Sequence, residues 1–177
     1  MPHLNVEIKA RSQRLDDIRG WLQAQGADYR GVDQQVDTYF QVPEGRLKLR
    51  VGNIERSLIF YQRPDQTGPK PSQVHLYHPE GPPEALRALL MAALEPWCEV
   101  RKRREIYFLD NVKFHLDEVE GLGTFVEIEA IDADGSLGEA YLQRQCAHYL
   151  EAFAIKAEDL LAHSYSDLLA SGQGSSP

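Results

Sequence analysis

Apolar and polar side chains alternate with a period of two along most of this chain, and a few stretches break into a period near 3.6. The alternation is sharpest near the two ends, where nearly the same strand is written twice, as Asn5-Val6-Glu7-Ile8-Lys9-Ala10 and as Phe125-Val126-Glu127-Ile128-Glu129-Ala130. Successive side chains on a strand point to opposite faces, so Val6, Ile8 and Ala10 form an apolar face while Asn5, Glu7 and Lys9 form a polar one. The second copy repeats the arrangement with Glu127 and Glu129.

The same pattern predicts strands over 4–11, 36–42, 46–51, 57–62, 72–77, 97–109, 112–119 and 124–131, with turns at Pro43-Glu44-Gly45, Gly52-Asn53, Asp110-Asn111 and Gly121-Leu122-Gly123. Helical spacing predicts helices over 15–25, 84–94 (opened by Pro82-Pro83) and 136–153, then short turns near 158–161 and 164–169, the last entered through Ser164 and Asp167. The proline-rich stretch 64–71 reads as a mobile loop, and the Gly/Ser-rich tail 171–177 as disordered. The expectation is an α+β chain with one domain over 1–170, built on an antiparallel sheet of eight strands.

With 177 residues, 42% hydrophobic and 26% charged, the chain suits a single soluble core. No apolar stretch reaches the length of a membrane span, and Glu7, Lys9 and Arg11 interrupt any signal-peptide core, so a cytoplasmic protein without a membrane partner is expected. Cys98 and Cys146 lack the spacing of a zinc site or a disulfide framework. A net charge of -8 argues against nucleic acid as a partner. Positive charge is nevertheless concentrated: 46–50 and 101–104 hold seven of the 19 Lys and Arg residues, a local field that suits a compact anion.

Where that charge points depends on the helices. Their apolar stripes need a partner, and the large apolar surface available is one face of the sheet. A sheet curled closed with that face outward becomes a barrel whose lumen is charged. Glu7, Asp117, Glu127 and Glu129 would then share one lumen, where two like charges about 4 Å apart repel by roughly 4 kcal/mol at an effective dielectric of about 20. A divalent cation removes that cost, and an all-oxygen ligand set favours Mg²⁺ or Mn²⁺ over zinc. Lys9, Lys48, Arg50, Arg63, Lys102 and Arg104 outnumber those four acids, and the surplus calls for an anionic ligand such as a chain of phosphates.

The opening Asn5 to Ala10 segment, Arg46-Leu47-Lys48-Leu49-Arg50, the basic strand 101–107 and the run from His115 to Glu129 together resemble the CYTH superfamily, the triphosphate tunnel metalloenzymes. The resemblance covers about residues 3 to 169. It implies an eight-stranded antiparallel tunnel with helices outside, and a divalent-metal-dependent enzyme that hydrolyses a triphosphate or cyclises a nucleoside triphosphate as class IV adenylyl cyclases do. Carried over by position, Glu7, Asp117, Glu127 and Glu129 correspond to metal ligands. Lys9, Lys48, Arg50, Arg63, Lys102 and Arg104 correspond to phosphate contacts, with Lys9, Arg50 and Arg104 as the catalytic candidates. Two positions depart from the family pattern. Asn5 stands where the ExExK element opens on an acid, and Arg63 where many members have lysine. Asn5 motivates the alternative of a noncatalytic nucleotide or polyphosphate binder with a weakened metal site. A small-molecule triphosphate is the expected partner, with a homodimer left open. His115 is read either as a proton shuttle or as a structural histidine. Tyr39, Tyr61 and Tyr77 are read as packing residues or as contacts to substrate.

Overall fold

A computed structural model describes residues 3–172. Its elements are β1 (His3–Arg11), α1 (Leu15–Ala24), β2 (Asp28–Phe40), β3 (Arg46–Val51), β4 (Arg56–Gln62), β5 (Lys70–Tyr77), α2 (Pro83–Ala93), β6 (Pro96–Leu109), β7 (Val112–Val119), β8 (Gly123–Asp132), α3 (Glu139–Ala152), a 3-10 turn over Ala157–Asp159, and α4 (Tyr165–Ala170). The eight strands close in the order β1-β5-β4-β3-β2-β6-β7-β8, with every neighbouring pair antiparallel. The two echoed strands lie side by side, with Glu7 opposite Glu129 and Lys9 opposite Glu127. Of the tail expected to be disordered, 173–177 lie outside the described residues, while Ser171 and Gly172 close α4 through bonds to Asp167 O and Leu169 O.

The main core lies outside the barrel. Val6, Ile8 and Ala10 of β1, Val112, Phe114 and Leu116 of β7, and Val126, Ile128 and Ala130 of β8 are buried together with Ile18 and Leu22 of α1 and Leu142 and Cys146 of α3. Trp21 adds edge-to-face contacts with Tyr149 and Phe153. These helices bury the apolar sides of the strands and leave the charged sides no direction but inward. The α2 helix departs from the expectation that every helical stripe is buried. Within it only Pro83 is buried, and Leu89 is 64% exposed. Its helical spacing is real, but the helix packs only loosely on the rest of the chain.

Two strand limits also differ from the sequence pattern. β2 begins at Asp28 because Gly31, at φ 113°, sits in an irregularity between Tyr29 and Gly31 that breaks the simple alternation. β5 begins inside the predicted loop, because Lys70 pairs with Glu7 and its ammonium donates to the carbonyls of Gln66, Leu161 and Ala162. Those bonds tie the C-terminal segment across one end of the barrel. There Tyr39, Val100, Val119 and Phe125 pack with Leu122, Tyr165 and Leu168, and this end is stoppered. At the opposite end, the β3–β4 turn and the ends of β5 and β6 frame an open mouth.

Candidate functional site

The barrel encloses a cavity of about 690 Å³, within the range that holds a small metabolite. Asn5, Glu7, Lys9, Lys48, Arg50, Arg63, Lys102, Arg104, Glu127 and Glu129 line it, which brings together all but one of the residues singled out in the sequence. Because β1 and β8 face β3 and β2 across the barrel, Glu7, Glu127 and Glu129 look toward Lys48 and Arg50. The exception is Asp117, which points inward on β7 but is fully buried beneath Arg104 and Tyr165. It accepts two bonds from Arg104, at 2.7 and 2.6 Å, and one from the Tyr165 hydroxyl at 2.7 Å.

Two acids missing from the candidate set change the charge balance. Asp37 on β2 accepts a bidentate pair from Arg50 at 2.9 and 2.8 Å and a bond from Lys102 at 2.8 Å, with Lys48 at 3.4 Å. Glu55, in the β3–β4 turn, binds Arg50 at 3.1 Å and pairs with Lys113. With Asp37 and Glu55 in place, more of the lumen's positive charge is already neutralised than the sequence implied. The signal for Asp37 was present, since Asp33, Gln35, Asp37 and Tyr39 alternate on one face of β2.

The remaining lumen acids are also engaged. Arg63 pairs with Glu7, and the Asn5 amide donates to Glu129. Lys9 lies 3.8 Å from Glu127, which also accepts from Arg104 at 2.9 Å and lies 3.4 Å from His115 Nδ1. Burial alone would raise Asp37 and Glu127, but their partners win. Arg50, Lys102 and Lys48 hold Asp37 well below the carboxylate range, and Lys9, His115 and Arg104 do the same for Glu127. Burial, with Arg50 and Arg104 nearby, pushes Lys102 down to about 7 despite its bond to Asp37. Burial and Arg104 likewise lower His115. Lys102 therefore changes charge readily near neutral pH, whereas His115 is held in its neutral form there.

Asn5 Oδ1, Ser72 Oγ and His115 Nε2 are buried at the cavity wall with no hydrogen-bond partner among the described residues. A buried polar atom left unpaired costs about 1–3 kcal/mol, so these atoms mark places where a polar guest gains most. Glu7, Glu127, Glu129 and the unpaired Asn5 carbonyl form an all-oxygen set on one wall that suits a hard divalent ion. Asp117 has its oxygens committed to Arg104 and Tyr165 and is oriented to hold Arg104. Among the described residues, one trio of ligand-type side chains has donor atoms within 4.8 Å of one another, and it lies elsewhere: Asp65, His163 and Asp167. Asp167 there already accepts from Arg46 and caps α4 through Ser164.

Tyr39 and Tyr61 line the cavity, whereas Tyr77 is exposed. Ile59, Tyr61 and Val74 form an apolar stripe on the β4–β5 wall, so the lumen is not charged all round. No helix among the described residues is long and apolar enough to cross a membrane.

This architecture recurs in known structures. The protein PH1012 from Pyrococcus horikoshii OT3 is 25% identical and superposes with a TM-score of 0.77 over 93% of this chain and 98% of its own. HpAC1 from Hippeastrum, provisionally named an adenylyl cyclase and described as having a dominant triphosphatase activity, shares the fold at 16% identity, with a TM-score of 0.62 over 96% of each chain. MJ0240 of Methanocaldococcus jannaschii, provisionally named an adenylate cyclase, is 33% identical over 69 residues, a match that spans 39% of each protein. The CYTH domain profile matches residues 3–165, nearly the whole chain, and the chain belongs to the CYTH domain family.

Proposed function

We propose that this protein is a divalent-metal-dependent enzyme that acts on a triphosphate-containing substrate, by hydrolysis or by cyclisation of a nucleoside triphosphate. One observation carries the reading: a closed lumen sets Lys48 and Arg50 on one wall against Glu7, Glu127 and Glu129 on the other. Family membership and the triphosphatase activity described for HpAC1 support it.

Glu7, Glu127, Glu129 and Asn5 Oδ1 would hold Mg²⁺ or Mn²⁺, whose part is to neutralise charge on phosphate oxygens. Arg63 and Lys9 are paired with Glu7 and Glu127. Drawing those carboxylates away frees the two cations for phosphate, so metal and anion favour one another. Lys48, Arg50 and Lys102 contact the phosphates from the opposite side. Arg104, fixed by Asp117, presents its guanidinium from the β6 wall. Charge stabilisation by preorganised donors of this kind suffices for phosphoryl transfer without a covalent nucleophile.

The test is incubation with ATP, tripolyphosphate and thiamine triphosphate, each with Mg²⁺ or Mn²⁺. Orthophosphate release identifies hydrolysis, and pyrophosphate with a cyclic nucleotide identifies cyclisation. Turnover of none of the three removes the enzyme reading. Glu129→Gln or Lys9→Ala is expected to lower turnover at least about 100-fold. Asn5 favours a second reading, a noncatalytic binder, because its amide already occupies Glu129. That reading predicts triphosphate binding without turnover and no activity in Asn5→Glu.

A further inference from the structure

The β3–β4 turn is built to aim one carboxylate into the lumen. Asp33, fully buried on β2, accepts the backbone amides of Ile54 and Glu55, each at 2.9 Å, and Asn53 Oδ1 accepts from Gln34 N at 2.6 Å. Gly52 makes room for the Asp33 side chain, since a Cβ there would lie 2.6 Å from Asp33 Oδ2. Gln35 donates to both Asp33, at 2.8 Å, and Glu55, at 3.1 Å. Glu55 is thus a fixed group, and its partners Arg50 and Lys113 sit on β3 and β7, strands separated by β2 and β6. Its carboxylate bridges across the lumen just inside the mouth.

On either side of Glu55 the surroundings differ. Toward the stoppered end lie Lys9, Lys48, Arg63 and Arg104. Toward the mouth Ile54, Leu76, Phe108 and Ile131 add apolar surface between the polar side chains of His3, Asn53, Arg56 and His78, with Ile54 43% and Leu76 45% exposed. A phosphate chain running outward meets a fixed negative charge whose neighbouring cations are already engaged. A headgroup with an apolar face and a hydrogen-bond donor meets a matching wall and an acceptor.

Resting on the triphosphate reading above, we propose that Glu55 ends the phosphate-accepting stretch of the lumen and reserves the mouth for an organic headgroup. The substrates are then triphosphate esters and not long linear polyphosphates. Two consequences follow from the pairing. Removing the Glu55 charge frees Lys113 and the Nη1 of Arg50, whose other donors stay on Asp37, to hold further phosphates, and the gain falls on chains long enough to reach them.

The experiment is calorimetric binding of tripolyphosphate, ATP and a linear polyphosphate of defined length greater than ten units. It uses the metal-free full chain at fixed ionic strength, with wild type, Glu55→Gln and the double variant Glu55→Gln/Lys113→Gln. In wild type, ATP is expected to bind tighter than the long chain per mole of sites. In Glu55→Gln the ratio of long-chain to tripolyphosphate affinity rises at least tenfold, and in the double variant most of that gain is lost. An unchanged ratio in Glu55→Gln, with tripolyphosphate still bound, overturns the gate and leaves the triphosphate reading standing. Failure of all three probes to bind wild type, both without metal and with Mg²⁺ added, overturns both. Should Glu55→Gln fail to fold, Glu55→Asp, which keeps the charge but withdraws it by one methylene, is expected to show the same shift at smaller size, and no shift there overturns the gate.

Discussion

Replacing Asp37 by Asn tests the charge bookkeeping of the lumen at its most crowded point. The carboxylate is 1% exposed and engages Arg50 twice, Lys102 once and Lys48 at 3.4 Å. An amide of the same shape leaves three cations buried together without their shared counter-charge. Breaking a buried pair from one side costs about 3–5 kcal/mol, because the abandoned charge stays desolvated. For a chain of this length each kcal/mol moves the melting temperature by roughly 2–4 °C, so a fall of roughly 6–20 °C is expected near neutral pH. Lys102 supplies a further check. Its folded value near 7 lies below its unfolded value of 10.5, so the unfolded chain binds more protons between those values and stability rises with pH across that window. Without Asp37 the lysine gives up its proton more easily, and the deficit of the variant should shrink between pH 7 and pH 9. Tripolyphosphate, binding only the folded state, should raise the melting temperature of the variant more than that of wild type, since the anion replaces the lost carboxylate. Thermal and denaturant unfolding with and without the anion measure all three. A loss below about 1 kcal/mol together with an equal response to tripolyphosphate would refute the assignment of Asp37 as counter-charge to the phosphate-binding side chains.

Three further outcomes follow from other parts of the molecule. Binding of tripolyphosphate at pH 8 should take up protons, because an anion beside Lys102 raises it from about 7, and calorimetry in buffers of different ionisation enthalpy reads the number directly. Gly52→Ala should destabilise the fold by about 1–3 kcal/mol through its collision with Asp33, and denaturant unfolding will detect a smaller effect if the turn yields. Leu142→Ala on α3, fully buried against the outer sheet face, should cost about 2–5 kcal/mol while leaving tripolyphosphate affinity within twofold, which separates the outer core from the lumen.

Much of the barrel was written in the alternation itself. Val6, Ile8 and Ala10 against Glu7 and Lys9, repeated at 126–130, already required one oily and one ionic side, and the stripes of α1 and α3 required the oily side to face outward. The register was less legible. That β1 pairs with both β5 and β8, and β2 with β6, depends on contacts far apart in sequence that no local pattern records. The start of β2 was hidden by the irregularity at Gly31, and the exposure of α2 by a helical period that carries no information on how deeply the helix sits. At the site, the alternation selected Glu7, Lys9, Lys48, Arg50, Lys102 and Arg104 for the cavity wall. It could not separate Glu127, which lines the cavity, from Asp117, which Arg104 and Tyr165 cover, because both point inward. Glu55 escaped notice for a different reason, since a turn residue has no period and its direction is set by bonds to Asp33.

On the triphosphate reading proposed above, the stopper of Tyr39, Val119, Phe125, Tyr165 and Leu168 also governs departure. A substrate that enters through the mouth with its terminal phosphate leading leaves the smallest fragment of any cleavage at the blind end, behind the larger one. Egress is then ordered: the larger fragment must vacate first, and while it lingers it blocks both the exit of the small fragment and the entry of the next substrate.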